Sequence, residues 1–404
     1  MRTHVLVLGA GYAGVMAANR LTRRDDVDVT LVNPRDHFVE RIRLHQLAAG
    51  THDAVQPFAR VLAPRVRVVV GEATAIDVDA RRVRLTGREE LGYDYLVYAV
   101  GSRGSDGGVP GAREHALPVS TFDDATRLRR VLDDDPGAPV VVVGGGPTGL
   151  ECAAELAERG RAVTLVPGHE VAPYFREPAR RVALRRLARL GVTVLAGAHV
   201  VRVRADGAVL DDGAVLDDGA VVPGRTLWAA GFEPSGLARS SGLRTDAAGR
   251  LLTDETLTSL DSDRIVAAGD AAAPSGVPQR MSCQAALPLG MRAADTVLAR
   301  IAGVTPAALD NPFAGQCVSL GRAGAVVQLA STQDVARRAH VGGAVAVWVK
   351  EAVCRSTVGS LAREARRPGS TWLPSSRARR RVLARTAAAA PAVTPAPGAA
   401  KVDA

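Results

Sequence analysis

The chain has 404 residues, of which 47% are hydrophobic and 23% charged, a composition typical of a globular protein with two or three domains. No apolar run approaches the roughly 20 residues that cross a bilayer, so a membrane-spanning protein is not expected. The net charge of +9 would suit a nucleic-acid partner, but residues 363–404 carry +7 of it and leave the rest nearly neutral. Nucleic acid is therefore not the expected partner.

The chain begins with the pattern of a nucleotide-binding unit. Residues 4–8 are an apolar run typical of a buried parallel strand, and residues 27–32 form a second such run after a helical pattern. Together they predict a strand–helix–strand unit of about 30 residues. Because the first apolar run is short and leads straight into glycines, we predict no signal peptide and expect a cytoplasmic protein.

The first glycine motif reads GAGYAG at residues 9–14. Gly9 permits a tight turn, Gly11 lets the backbone approach a pyrophosphate, and Gly14 allows the helix to pack closely on the strand. The phosphates would lie beside Tyr12 and Ala13, where the helix N-terminus presents free N–H groups. The motif therefore predicts a dinucleotide site.

The end of the second strand departs from the usual pattern. Nucleotide-binding units commonly carry Asp or Glu there to bind the ribose hydroxyls, whereas this chain has Asn33, with Asp36 three residues on. The amide oxygen of Asn33 can still accept a hydrogen bond from ribose. We therefore keep Asn33 as a candidate cofactor contact.

A second unit of the same kind follows at residues 139–166, with the glycine motif GGGPTG at 144–149. Two dinucleotide sites in one chain predict two redox cofactors placed face to face, because hydride transfer needs reacting atoms roughly 3 to 3.5 Å apart. The second strand ends before Pro167 without the acid or the Arg that distinguishes NADH from NADPH, so the donor stays open. The candidate contacts in this motif are Gly144, Gly146, Pro147, Thr148 and Gly149.

The remaining segments have simpler patterns. Residues 66–70 and 93–100 are predicted strands, and 75–85 alternates like a hairpin. The hexad GAVLDD occurs twice in 207–218, and its Asp-Asp-Gly turns predict an antiparallel meander. From residue 363 onward, the Arg, Ala and Pro composition predicts disorder.

Three further segments carry a resemblance to a known family: YLVYAVGS at 95–102, LWAAGF at 227–232 and RIVAAGDA at 264–271. With the paired glycine motifs, they resemble the two-dinucleotide flavoproteins of the pyridine nucleotide-disulfide oxidoreductase superfamily, most closely the type II NADH dehydrogenases, over about residues 4–362. The resemblance implies an α/β fold with two Rossmann-like dinucleotide-binding domains, the second inserted in the first, a small α+β C-terminal region and a disordered tail. The expected divisions are an FAD-binding domain at 1–110 and 244–310, an NAD(P)-binding domain at 111–243, a C-terminal region at 311–362 and a basic, Ala/Pro-rich tail at 363–404.

The resemblance also implies which residues bind FAD and which bind NADH or NADPH. Asp270 would accept hydrogen bonds from the ribityl hydroxyls of FAD, although a plain Gly-Asp turn is the alternative. Glu151 would lie near the nicotinamide as the candidate catalytic residue, and a solvated acid in a first helical turn is its alternative. A helix that opens at Gln284 would direct its dipole at the flavin. The further implied cofactor contacts are Ala73, Gly101, Gly231, Gly269 and Ala286.

Residues 38–50 lack the paired cysteines of a disulfide reductase. The four cysteines of the chain also show no metal-ligand spacing, so we predict reduced thiols and no metal site. Where type II dehydrogenases usually have aromatic and proline residues, this chain has Glu40, Arg41, Arg43 and His45. Arg43 or His45 would contact an anionic acceptor, and a surface ion-pair helix is the alternative.

These patterns predict an FAD-dependent NAD(P)H oxidoreductase that passes electrons to a quinone or another small acceptor. One alternative is a specialised flavoprotein of a biosynthetic pathway; another is a redox-sensing, partner-binding flavoprotein resembling the apoptosis-inducing ones. The basic tail would attract an anionic membrane surface and place the protein at the inner face of the cell membrane, with a solvated tail as the alternative. A homodimer also remains open.

Overall fold

The computed structural model describes residues 2–87, 89–211, 220–372 and 376–389. The strands, in chain order, are β1 (Thr3–Leu8), β2 (Val27–Asn33), β3 (His37–Val39), β4 (Val55–Pro57), β5 (Arg67–Val70), β6 (Ala73–Asp77), β7 (Arg82–Leu85), β8 (Glu90–Gly92), β9 (Tyr95–Tyr98), β10 (Ser102–Gly104), β11 (Leu117–Pro118), β12 (Val140–Val143), β13 (Val163–Val166), β14 (Thr193–Val194), β15 (Val200–Arg204), β16 (Gly207–Leu210), β17 (Val221–Pro223), β18 (Arg225–Trp228), β19 (Phe232–Pro234), β20 (Leu251–Thr253), β21 (Ile265–Ala267), β22 (Ala272–Pro274), β23 (Gly315–Ser319), β24 (Ala325–Ala330) and β25 (Ala336–Gly342). The helices are α1 (Tyr12–Leu21), α2 (Leu44–Ala48), α3 (Phe58–Val61), α4 (Ala112–His115), α5 (Phe122–Asp134), α6 (Pro147–Glu158), α7 (Glu177–Arg189), α8 (Leu237–Ser240), α9 (Cys283–Ile301), α10 (Gly343–Arg366) and α11 (Ala378–Ala389). Single 3₁₀ turns cover Arg41–Arg43 and Gly269–Ala271.

The first parallel sheet has the strand order β21-β9-β1-β2-β5. Its central strand β1 is buried on both faces, which explains why its sequence is an unbroken apolar run. Val5 and Val7 pack in the core formed with α1 and α9. Leu6 and Leu8 pack on the opposite face, against the antiparallel sheet β6-β7-β8.

The second parallel sheet has the order β11-β18-β12-β13-β14. All four valines of β12 are buried, and α6 and α5 cover the sheet on the face where Val140 and Val142 point. The glycine motif, helix and next strand follow β12 as they follow β1, so the same arrangement occurs twice. This confirms the predicted fold class of two Rossmann-like units.

Residues 200–223 form the antiparallel meander that the repeated hexad predicts. Strands β15, β16 and β17 pair in chain order, with Ala208 opposite both Val203 and Val222. Residues 212–219, which contain most of the second hexad, lie outside the described residues.

The C-terminal region is an antiparallel sheet, β23-β24-β25, followed by the long helix α10. This region contacts α6 and α7 of the second unit, and α10 also packs on α1 of the first unit. It therefore bridges both nucleotide units. Over the described part of the chain, no helix is both long enough and apolar enough to cross a membrane.

The expectation of disorder from residue 363 needs correction in the described part of that segment. Helix α10 continues to Arg366, and Glu364 within it is fully buried. The Glu364 carboxylate accepts hydrogen bonds from the guanidinium of Arg20 at 3.1 Å and from the N–H groups of Gly369 at 2.6 Å and Thr371 at 2.9 Å. Composition does not reveal this contact, since it depends on one acid. Glu364 accepts three hydrogen bonds, and these charge-assisted bonds order the chain around it.

The second ordered part of the tail is α11. Arg379 in α11 is buried and forms a bidentate ion pair with Glu255, with N···O distances of 3.0 and 2.8 Å. It also donates to the carbonyl oxygens of Pro274 at 2.7 Å and Val277 at 2.8 Å. One of the basic residues expected to be solvated is therefore buried and anchors α11 to the rest of the fold. Residues 373–375 and 390–404 lie outside the described residues.

Candidate functional site

The first glycine motif forms a tight turn between β1 and α1. Gly9 has a φ of +95°, and a Cβ atom there would overlap the carbonyl oxygen of Ala99. A Cβ atom at Gly14 would overlap the carbonyl group of Gly9, so the helix approaches the turn this closely only because both residues are glycine. At Gly11, by contrast, a Cβ atom meets nothing within 4 Å. Gly11 therefore borders open space from which a ligand can approach the backbone.

The second glycine motif repeats this geometry between β12 and α6. Gly144 has a φ of +121°, and a Cβ atom there would lie 2.7 Å from the carbonyl oxygen of Ala229. Gly149 packs against the carbonyl group of Gly144, and Gly146 borders open space. The backbone angles of Gly11 (φ −76°, ψ −173°) and Gly146 (φ −76°, ψ −180°) are nearly identical. The two loops therefore have the same backbone geometry at the glycine that faces a ligand.

Both helices that follow these loops begin without a side-chain cap. Gly11 and Gly146 are the N-cap residues, and neither has a side chain to accept hydrogen bonds from the first N–H groups. The first-turn residues are Tyr12, Ala13 and Gly14 in α1 and Pro147, Thr148 and Gly149 in α6. Uncapped N–H groups at the positive end of a helix suit a phosphate, so both loops fit a dinucleotide pyrophosphate.

Asn33, at the end of β2, braces the first glycine loop. Its Oδ1 atom accepts a hydrogen bond from the N–H of Ala10 at 3.1 Å, and its Nδ2 donates to the carbonyl oxygen of Arg35 at 2.8 Å. An amide oxygen has two lone pairs, so Oδ1 retains one for a ribose hydroxyl. The N–H of Gly71 donates to the Asn33 carbonyl at 2.9 Å, which brings Ala73, the first residue of β6, to the same edge of the sheet.

Asp270 lies in the 3₁₀ turn that follows β21, beside the first loop. Its Oδ2 accepts hydrogen bonds from the Ser102 hydroxyl at 2.7 Å and from Arg41 Nη1 at 3.4 Å. Within the described residues Oδ1 has no hydrogen-bond partner, so the carboxylate keeps an oxygen for the hydroxyls of a ligand. Arg41, whose guanidinium also lies 5.0 Å from the centre of the Phe232 ring, was missed as a site residue.

One buried polar atom without a hydrogen-bond partner among the described residues lies at the start of α9. It is Oε1 of Gln284, in the first turn of that helix. A Cβ atom at Gly290 would overlap the carbonyl group of Ala13, so α9 packs tightly along α1 and places Ala286 against the same core. A buried polar atom usually has a partner, and the lack of one at Gln284 Oε1 fits a site that a cofactor completes.

One glycine in each of the three segments that carry the family resemblance has a positive φ value: +71° at Gly101, +104° at Gly231 and +71° at Gly269. A Cβ atom at Gly269 would lie 3.1 Å from the Cβ of Ala13, and one at Gly101 would lie 3.9 Å from Arg41. The structure thus brings Gly101 and Gly269 to the first loop. Gly231 instead precedes β19, which pairs with β10 where the chain passes between the two units.

Glu151, in the first turns of α6, is buried in a polar cluster that four elements build. Its Oε1 lies 2.8 Å from Nζ of Lys350 in α10 and accepts a hydrogen bond from the Ser319 N–H of β23 at 3.1 Å. Its Oε2 lies 3.5 Å from Nδ1 of His45 in α2. Because Glu151 is only 7% exposed, the alternative of a solvated first-turn acid is wrong.

The charges in this cluster stabilise one another. Burial raises the pKa of Glu151, but the positive charge of Lys350 and the Ser319 N–H outweigh it, and the net pKa is lowered. Burial lowers the pKa of Lys350, but the Glu151 carboxylate outweighs it, and the net pKa is raised. The pair is therefore ionised at neutral pH although both side chains are buried.

The segment around His45 is not the surface ion-pair helix given as the alternative. Arg43 and His45 are both 4% exposed. Arg43 pairs with Glu40 at 3.2 Å and with Glu351 of α10 at 2.9 Å. The charges are paired as expected, but they lie inside the protein, between the first unit and the C-terminal region.

His45 provides a pH-dependent contribution to stability. Burial lowers the pKa of His45 to about 4. The Glu151 carboxylate opposes this shift, and the positive charges of Lys350, Arg322 and Arg43 add to it. An unfolded histidine has a pKa near 6.5, so the folded state binds fewer protons between these values and loses about 3 kcal/mol of stability as the pH falls from about 6.5 to about 4. In His45→Gln, we expect this part of the fall to disappear when the free energy of unfolding is measured in urea across that range. The exposed His115→Gln should keep the wild-type slope, and an unchanged slope in His45→Gln would contradict the assignment.

Sequence reasoning missed Lys350 completely. The chain has only two lysines, Lys350 and Lys401, against 49 arginines. Lys350 also follows the apolar residues 345–349 directly. A lysine that interrupts an apolar run in an arginine-rich chain is a usable signal for a buried ammonium group, since lysine adapts its pKa to burial and arginine does not.

The four cysteines are free thiols, with Cys152 and Cys354 buried and Cys283 and Cys317 half-buried. Burial raises the pKa of Cys283 to about 11, which disfavours a reactive thiolate. Within the described ranges, no group of three or more His, Cys, Asp or Glu residues is placed to hold a metal ion.

Comparison with known proteins gives consistent matches over most of the chain. A family model described as pyridine nucleotide-disulphide oxidoreductase matches residues 3–290. An NADH dehydrogenase-like protein of Mycobacterium tuberculosis is 33% identical over 383 residues, which cover 87% of this chain and 93% of that protein. A type II NADH:quinone oxidoreductase of Staphylococcus aureus is 28% identical over 359 residues, covering 79% of this chain and 88% of that protein.

Two solved structures share the fold. The sulfide:quinone oxidoreductase of Aquifex aeolicus superimposes with a TM-score of 0.75 at 22% identity, covering 90% of this chain and 92% of that one. NDH2 of Plasmodium falciparum, solved in complex with NADH, superimposes with a TM-score of 0.74 at 16% identity, covering 93% and 100%. At these identities the likeness establishes the arrangement of the two nucleotide units.

Proposed function

The chain belongs to the pyridine nucleotide-disulphide oxidoreductase family, and from this premise we propose that it oxidises NADH or NADPH and reduces a quinone through bound FAD. The observation that carries the proposal is the pair of glycine loops with matching geometry, each followed by an uncapped helix. The relatives named as type II NADH:quinone oxidoreductases support quinone as the acceptor.

We assign FAD to the first loop and the nicotinamide cofactor to the second. Asn33 and Asp270 each keep an acceptor oxygen for cofactor hydroxyls, and the unpartnered Oε1 of Gln284 lies in the first turn of α9, the helix packed on α1. When bound, FAD accepts a hydride from a nicotinamide and passes the two electrons to an acceptor. The proposed domains are 1–110 with 244–310 for FAD and 111–243 for NAD(P)H, and the paired strands β10 and β19 lie near these boundaries.

We place the acceptor near the buried pair of Glu151 and Lys350. A quinone gains negative charge when it accepts electrons, and an ammonium group in a water-poor site stabilises such charge. Lys350 Nζ can donate a proton to a reduced quinone oxygen. The Glu151 carboxylate can then accept a proton that originates in solvent and pass it to Nζ across the 2.8 Å contact. Glu151 and Lys350 therefore act together as an acid–base pair in this proposal.

Anaerobic mixing and steady-state turnover test the proposal. We expect NADH or NADPH to bleach the flavin of FAD-loaded protein and menadione or a short-chain ubiquinone to restore its colour with multiple turnovers. If neither nucleotide bleaches the flavin, the oxidoreductase assignment is wrong. Bleaching without quinone turnover would favour the specialised pathway enzyme, and slow bleaching with a long-lived reduced state would favour the redox-sensing protein.

A further inference from the structure

A second buried acid lies one helical turn beyond Glu151. Glu155 in α6 is 1% exposed, and its Oε1 accepts a hydrogen bond from the Thr51 hydroxyl at 2.6 Å. Its Oε2 is buried and has no hydrogen-bond partner among the described residues. An unpartnered carboxylate oxygen is costly to bury, and it becomes tolerable when the group carries a proton.

Burial favours the protonated form of Glu155. Burial raises its pKa, and the carboxylates of Glu158 and Glu151 raise it further, while Thr51 and Arg322 lower it. The net pKa is raised, whereas that of Glu151, four residues away, is lowered. Two acids on one helix with pKa values moved in opposite directions suit the transfer of a proton from one to the other.

The positions of these groups define a path from water to the acceptor pair. Thr51 is an exposed residue, and its hydroxyl donates to the buried Oε1 of Glu155 at 2.6 Å. Residues four apart on a helix lie on the same face with Cβ atoms about 5–6 Å apart, so Glu155 and Glu151 are neighbours on α6. Glu151 in turn contacts Lys350 at 2.8 Å.

We propose that Glu155 is a proton-transfer residue that resupplies the Glu151–Lys350 pair from solvent through Thr51. This inference rests on the proposed function. Oxidation of NADH to NAD⁺ releases two electrons and one proton, whereas reduction of a quinone to a quinol consumes two electrons and two protons. The second proton comes from water, and one proton passes through Glu155 in each turnover.

Comparison of two acceptors tests the role of Glu155. Ferricyanide takes up electrons without protons, whereas menadione must be protonated. In Glu155→Gln, we expect NADH to bleach the flavin and ferricyanide to be reduced at wild-type rates, while menadione turnover falls by about 100-fold, the low end for a lost acid–base group. Thr51→Val, which removes the hydroxyl that donates to Glu155, should lower menadione turnover in the same selective way. Its pH profile should fall more steeply on the alkaline side, where hydronium cannot replace the path.

A spectroscopic measurement tests the protonation of Glu155 without relying on enzyme turnover. The infrared spectrum of the FAD-loaded protein, recorded without substrate, should contain a band from a protonated carboxyl group that titrates above the ordinary range of glutamate and is lost in Glu155→Gln. The exposed Glu177→Gln, at 62% side-chain exposure, is the matched control and should change neither the band nor either turnover rate. Equal menadione turnover in wild type and Glu155→Gln, or the absence of the band in wild type, would overturn the path alone. Wild-type protein that reduces ferricyanide but no quinone would overturn the proposed function and the path with it.

Discussion

Lys350→Met is expected to lower the free energy of unfolding by about 3 to 5 kcal/mol, because it leaves the Glu151 carboxylate buried without its cation. Urea denaturation at neutral pH measures this change. The exposed pair of Arg113 and Asp106, at 2.7 Å, is the matched control, since surface ion pairs contribute only about 0 to 1 kcal/mol. A loss in Lys350→Met no larger than that in Arg113→Met would show that the pair is solvated in solution.

Removal of both charges separates stability from chemistry. In the double variant Glu151→Leu, Lys350→Met, no buried charge is left unpaired, so the double variant should be more stable than the sum of the single losses predicts by roughly 1 to 3 kcal/mol. Menadione turnover should stay low in the double variant, because the groups that carry protons are gone. Recovery of menadione turnover together with stability would mean that the pair has a structural role only.

The parts of the site that sequence reasoning reached are those in which one local pattern determines the geometry. Gly9, Gly14, Gly144 and Gly149 each sit where a Cβ atom would meet backbone, and such positions follow from a strand, a turn and a helix within a few residues of one another. The buried cluster is different, because Glu151, His45, Ser319 and Lys350 are up to 305 positions apart and meet only when the C-terminal region packs on both units. No local pattern contains that information.

In the basic tail, composition predicted too little structure, again because the contacts that order it are distant in sequence. The Arg, Ala and Pro composition of the tail indicates a segment that cannot form a hydrophobic core of its own. Glu364 and Arg379 nevertheless order parts of it, because Arg20 and Glu255 offer complementary charges in the folded body. A segment without a core of its own can be ordered by a few specific ion pairs, and only the folded partner surface shows where they form.

The sharpest test of the two-loop assignment uses the glycines that border open space. Gly146→Val should fold normally, because the residue has extended backbone angles and a Cβ atom there meets no protein atom within 4 Å. Its side chain would fill the space in which a pyrophosphate approaches, so we expect NADH affinity to fall by roughly 100-fold, or about 3 kcal/mol, while bound flavin is retained. NADH titration followed by flavin bleaching measures the first effect, and the absorbance ratio of flavin to protein measures the second.

The reciprocal variant and a structural control complete the experiment. Gly11→Val has the same local geometry and should lose flavin instead, giving colourless but folded protein. Gly149→Val places its Cβ against the carbonyl group of Gly144 and should lower the melting temperature, which the two ligand-facing variants should not do. If Gly146→Val lost flavin and Gly11→Val lost only NADH affinity, the two cofactors would have to exchange loops. The buried Glu151, on the helix that starts at Gly146, would then lie on the FAD unit, and the assignment of the acceptor pair would have to change with it.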